Sequence, residues 1–124
     1  MRRLLTGIDY YAVAIGILLL IQGLWNLIDP PFLGIFTSNV LHAVIHVVLG
    51  IIGIWTGWRT GAYGFCLFLG ILLLGVGILY FIQGIGPILE DLFNLNSAVA
   101  WLNIVIGAIS LLFALGGRKQ EVHA

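Results

Sequence analysis

Charge is what this sequence has least of: five Lys and Arg and five Asp and Glu in 124 residues, with a formal net charge of zero. A chain so neutral presents no cationic surface to a phosphate backbone, so no nucleic-acid partner is expected. Cysteine is confined to Cys66, which excludes an intrachain disulfide and leaves the redox compartment open. Lys and Arg are wholly missing from four stretches, Ile8 to Ile28, Val40 to Trp58, Ala62 to Gly84 and Ala98 to Leu115, where only Asp9 is acidic. Strict apolar-polar alternation is missing too. Runs such as Gly16 to Ile21 are continuously apolar, which excludes the strands of an outer-membrane barrel.

What remains is hydrocarbon. Hydrophobic residues make up 61% of the chain and the mean hydropathy is +1.16, so lipid rather than water solvates most of it. Each of the four stretches can cross about 30 Å of bilayer core as a helix rising about 1.5 Å per residue. A signal peptide is the rival reading of the first, because Arg2 and Arg3 precede it. Its apolar run is too long for such a segment, and no small-x-small cleavage site follows. The expected fold is all-α: one integral membrane domain over residues 1–124, a left-handed bundle of four transmembrane helices.

The five basic residues sort onto one side of that topology. Arg2 and Arg3 precede the first span, Arg59 sits between the second and third, and Arg118 and Lys119 follow the fourth; the opposite loops carry Asp29, Glu90 and Asp91. The positive-inside bias therefore predicts cytoplasmic termini in a cell membrane, with both hairpin loops outside. Asp29-Pro30-Pro31 should stop the first helix, and Gly84, Gly86 and Pro87 the third.

The chain also resembles itself. Gly16-Ile-Leu-Leu-Leu-Ile-Gln-Gly23 matches Gly70-Ile-Leu-Leu-Leu-Gly-Val-Gly77 at an offset of 54, with six of eight positions identical. At an offset of 57, Asn39 pairs with Asn96, Ala43 with Ala100, Val48 with Val105, Gly50 with Gly107 and Ile52 with Ile109. The order of the matches predicts a tandem repeat of two helical hairpins, related by a pseudo-two-fold axis along the membrane normal. Small residues recur at sevens: Gly16 and Gly23; Ala43, Gly50 and Gly57; Gly70, Gly77 and Gly84; Ala100, Gly107 and Ala114. Such seams let helices approach closely, and Gly53 with Gly57 forms a GxxxG pair open to a partner helix.

The same count lays out a polar ladder. Asn39, His46 and Gly53 share one seam position of the second helix; Asn96, Asn103 and Ser110 share that of the fourth. Asn26, Tyr80, Gln22 and His42 join them near the outer end, leaving the inner half almost wholly apolar apart from Cys66 and Ser110. One reading is that these groups satisfy one another as interhelical hydrogen bonds. The other is an outward-facing polar pocket for a small ligand, lipid, ion or proton, with His46 as its titratable member. His42 and His46 also have the i, i+4 spacing of two metal ligands, but no third ligand is near, so no metal is expected. One helix cannot supply both axial histidines to a haem, and no other cofactor is expected.

Enzyme chemistry finds no footing: no nucleophile-base pairing, phosphate-binding loop or paired intramembrane carboxylates can be read. Asp9 stands where the first helix's dipole stabilises a carboxylate, with a gating role as its functional reading, and His123 lies in a polar tail.

The stretch Asn39-Val-Leu-His-Ala-Val-Ile-His-Val-Val-Leu-Gly-Ile-Ile-Gly53 resembles small bacterial four-helix membrane proteins known only as domains of unknown function. The likeness lies in the Asn-x-x-His opening, the following Gly-x-x-Gly and the weaker echo from Asn96 to Gly107, where Val99 stands in place of His42. It implies a bacterial cell membrane and assigns no activity. The leading expectation is a non-enzymatic structural or partner-binding subunit. The alternative is ligand or ion binding or transport around His46, as a homo-oligomer or beside another membrane protein.

Overall fold

The computed structural model describes residues 5–123, with side chains described for 5–116; Arg2 and Arg3, and the side chains of Arg118, Lys119 and His123, lie outside the described residues. Five α-helices follow in order: α1 (Gly7–Ile28), α2 (Val40–Trp55), α3 (Tyr63–Tyr80), α4 (Gly86–Phe93) and α5 (Ser97–His123). A π-helical turn, Thr56–Thr60, continues α2. Four segments are long and apolar enough to cross a membrane, Gly7–Ile28, Val40–Thr60, Tyr63–Tyr80 and Ser97–Gly116. The chain is thus an all-helical, multi-pass bundle.

Each helix starts and stops for a local reason. At α1, the Asp9 carboxylate accepts a hydrogen bond from the Thr6 backbone N–H at 3.0 Å, one half of a capping box. Its C-terminus falls at Asp29, before Pro30 and Pro31. Gly61, at φ 111°, turns the chain from the π turn into α3, a conformation that glycine adopts without a β-carbon clash. The third helix ends at Tyr80, four residues short of the expected Gly84. Gly84 takes φ 86° and Pro87 opens a further helix, α4, where a plain loop was expected. Proline lacks the N–H that the first turn of a helix leaves unpaired, so it starts α4 more readily than it stops α3.

Two hairpins dominate the packing: α1 lies along α2, and α3 along α5, with α1 also meeting α3 and α5. Small residues set both spacings. A β-carbon on Gly16 would lie 2.7 Å from the Gly50 carbonyl oxygen, and one on Gly50 2.6 Å from that of Gly16. In the second hairpin a β-carbon on Gly107 would lie 2.5 Å from the Leu74 nitrogen, and one on Gly77 2.7 Å from the Ala100 oxygen. Gly23 meets Ala43 and Gly57 meets Asp9 in the same manner. Gly70 lies against Leu111 and Gly107. With lipid as apolar as the side chains, this close backbone approach is what holds the helices together.

Outside the seams the surface is apolar. Phe68, Ile71, Ile51 and Val105 are all more than half exposed, an arrangement suited to acyl chains and not to water. Trp25 and Trp101 project near one end and Trp55 and Trp58 near the other, the levels at which indole rings meet membrane interfaces. The two ends are called here the connection end, which holds residues 29–39 and 81–96, and the terminal end.

Candidate functional site

Toward the connection end, α2 stands apart from α3 and α5 around a cavity of about 80 Å³. His42, Ile45, His46 and Leu49 line it from α2, Leu72, Leu73 and Val76 from α3, and Asn103 from α5; Phe93 and Leu95 reach in from the second connection. One helical turn separates the histidines, and their Nε2 atoms meet at 2.9 Å with the rings edge to face, 4.3 Å between centroids. One N–H donates to the other's bare nitrogen, so the pair shares a single proton along that axis. The Nδ1 of His42 is buried; this residue also meets the Phe93 backbone, and its ring leans edge-on against the Phe93 ring.

Across the cavity, Asn103 is 3% exposed and lines the space from α5. The hydrogen bond between the histidines joins two residues of the same helix. Polar groups are costly to bury in so apolar a setting, and here three of them line a space able to hold a guest.

The other members of the ladder sit elsewhere. Asn39 caps α2, its Oδ1 accepting from the His42 N–H at 2.9 Å, while its Nδ2 donates to the Leu92 carbonyl in the second connection at 2.8 Å. Asn96 does the reciprocal. Its Oδ1 accepts from the Val99 N–H at 2.9 Å and its Nδ2 donates to the Ile35 carbonyl in the first connection at 2.7 Å. Donor and acceptor in the two bonds are related by the same 57-residue offset. Thr37 to the Asn94 carbonyl, 2.7 Å, and Asn94 to the Ser38 carbonyl, 2.9 Å, complete the clasp. Asn26 accepts from the Phe32 N–H at 2.9 Å, bracing the first connection. Gln22 is buried off the cavity, and half-buried Tyr80 packs against Phe81. Gly53 receives the Phe65 ring.

The terminal end is more polar than the sequence suggested. Asp9 is 2% exposed, and its Oδ1 accepts from the Ala62 N–H at 3.1 Å, tying the turn before α3 to the start of α1. The Tyr11 hydroxyl meets the Ser110 Oγ at 2.6 Å, and Ser110 donates to the Ile106 carbonyl. Tyr11 was not among the residues singled out from sequence. Its depth in the first span matches that of Ser110 in the fourth, a signal that the seam count, which began at Gly16, passed over.

Around the cavity the available donors are two imidazoles and a carboxamide; no cluster of three or more His, Cys, Asp or Glu able to hold a metal occurs among the described residues. No curated protein and no solved structure matches the chain. A family's model does match, over residues 9–116, which takes in all four spans and both connections: the chain belongs to the DUF4383 family, a domain of unknown function.

Proposed function

We propose that this protein is a non-enzymatic, multi-pass protein of a bacterial cell membrane that binds a small ligand in the cavity beside His42, His46 and Asn103. One observation carries the reading: two imidazoles and a carboxamide, His42, His46 and Asn103, are buried inside the spans and line the same cavity. A group retained in so apolar a setting at this cost is a functional candidate by default. No nucleophile and base meet there. The Cys66 thiol and the Tyr11-Ser110 pair belong to the opposite end.

The proposed orientation puts the termini in the cytoplasm and the cavity in the outer half. It draws on Arg59, which lies in the turn at the terminal end, and on Asp29, Glu90 and Asp91 in the connections. Descent from a duplicated hairpin is supported by the equivalent contacts of Gly16 with Gly50 and of Gly70 with Gly107, and by the reciprocal asparagine bonds. The test is mass spectrometry of the intact protein released from mild detergent. Wild type is expected to retain a non-covalent adduct that His46→Leu loses while staying folded; adduct-free wild type from a native membrane defeats the reading.

A further inference from the structure

We infer that the ligand of this cavity is a neutral, membrane-dissolved molecule whose compact head carries a hydroxyl or carbonyl oxygen, and that it reaches the cavity sideways between α2 and α3. The inference rests on the binding reading above and concerns what is bound and by which route. The route follows from how the two helices meet. Toward the terminal end they touch, since a β-carbon on Gly53 would lie 2.7 Å from the tip of the Phe65 ring. Above that contact they part, because α2 follows α1 while α3 follows α5.

Leu95, 3% exposed, and Phe93 close the cavity toward the connection end, where the asparagine clasp holds both connections in place. Ile45, Leu72 and Val76 line the cavity yet are only half-buried. All three lie within spans, so the side they leave open faces acyl chains.

The head follows from the lining. No Lys, Arg, Asp or Glu lines the cavity, and an ionic head would be stranded there without a counter-charge. Asn103 carries two donors and an acceptor, and His46 a ring nitrogen besides the one that meets His42. Hydroxyl and carbonyl oxygens match that set. A volume of about 80 Å³ gives room for a compact head.

Photolabelling tests this with the full chain in nanodiscs, using three diazirine-tagged probes: hexadecanol, hexadecyl sulfate and butanol. Hexadecanol is expected to label peptides carrying Ile45 and Val76 saturably, with the sulfate about tenfold weaker or less for want of a counter-charge. Val76→Trp, or Leu72→Phe should that variant fail to fold, is expected to abolish the labelling while the thermal transition persists. Competition by unlabelled dodecanol or by a decyl-benzoquinone separates a hydroxyl from a carbonyl head. Equal labelling by the sulfate overturns the neutral head, and equal labelling by butanol overturns the membrane route; both leave the cavity a binding site. Failure of all three probes to label cavity peptides refutes the binding reading itself.

Discussion

His42 and His46 hold each other, Nε2 to Nε2 at 2.9 Å, on the one helix that stands away from α3 and α5. The bond therefore adds nothing to the grip between hairpins. What it fixes is the orientation of two imidazoles at the cavity wall.

Replacing either histidine by leucine is expected to change ligand retention much more than folding. His46→Leu orphans the His42 Nε2, a cost of about 1–3 kcal/mol, partly offset by the apolar contacts Leu brings. Circular dichroism melts in detergent, read beside intact-protein mass spectrometry, separate the two effects. A melt lowered below that of ligand-stripped wild type would mean that the pair is structural.

The clasp asparagines should behave as a matched pair. Asn39→Ala and Asn96→Ala each remove a helix cap, about 1 kcal/mol, together with one bond between connections, about 0.5–1.5 kcal/mol. Hydrogen exchange is expected to quicken in both connections for either variant, and not only in the one that carries the mutation. Exchange confined to the mutated connection would refute the reciprocity.

Glycines divide by what surrounds them. Gly16→Ala and Gly50→Ala push a β-carbon against backbone 2.7 Å and 2.6 Å away, and each is expected to cost about 1–3 kcal/mol or more as overpacking. Gly75→Ala meets nothing within 4 Å and is expected to be neutral or slightly stabilising, because alanine is the better helix former. Unfolding in mixed detergent micelles ranks the three.

Tyr11 and Ser110 join α1 to α5, one of the few polar links between the hairpins. A double-mutant cycle of Tyr11→Phe and Ser110→Ala is expected to return a coupling of about 0.6 kcal/mol, with about 1.7 kcal/mol as the ceiling for such bonds in a membrane. Zero coupling would leave Tyr11 as a packing residue stacked on Phe113.

The spans were legible because hydropathy needs no tertiary information, and the glycine seams because a seven-residue recurrence survives in a single sequence. His42, His46 and Asn103, which line one cavity, could be placed on a shared level for the same reason, lying well inside helices where heptad counting holds. Asn39 and Asn96 were misplaced into the pocket because the count was carried one residue past each helix start. There the backbone leaves its helical path and a side chain turns to its own N–H groups. Helix α4 escaped notice because eight residues are too few for periodicity to show, and because Gly84, Gly86 and Pro87 read as a terminator. Nothing local to His42 or Asn103 says that they face a void, since a gap between α2 and α3 belongs to the assembled hairpins.

The crossed caps bear on how the protein is made. While the ribosome is still delivering α3, the first hairpin is already in the bilayer, but Asn39 has no Leu92 carbonyl to hold and Ile35 has no Asn96. Each hairpin carries what the other lacks, so neither asparagine has its second bond until both are inserted. Integration of the second hairpin is then the step that completes the first, and a chain ending after α2 leaves the Asn39 amide donor and the Ile35 carbonyl without these partners.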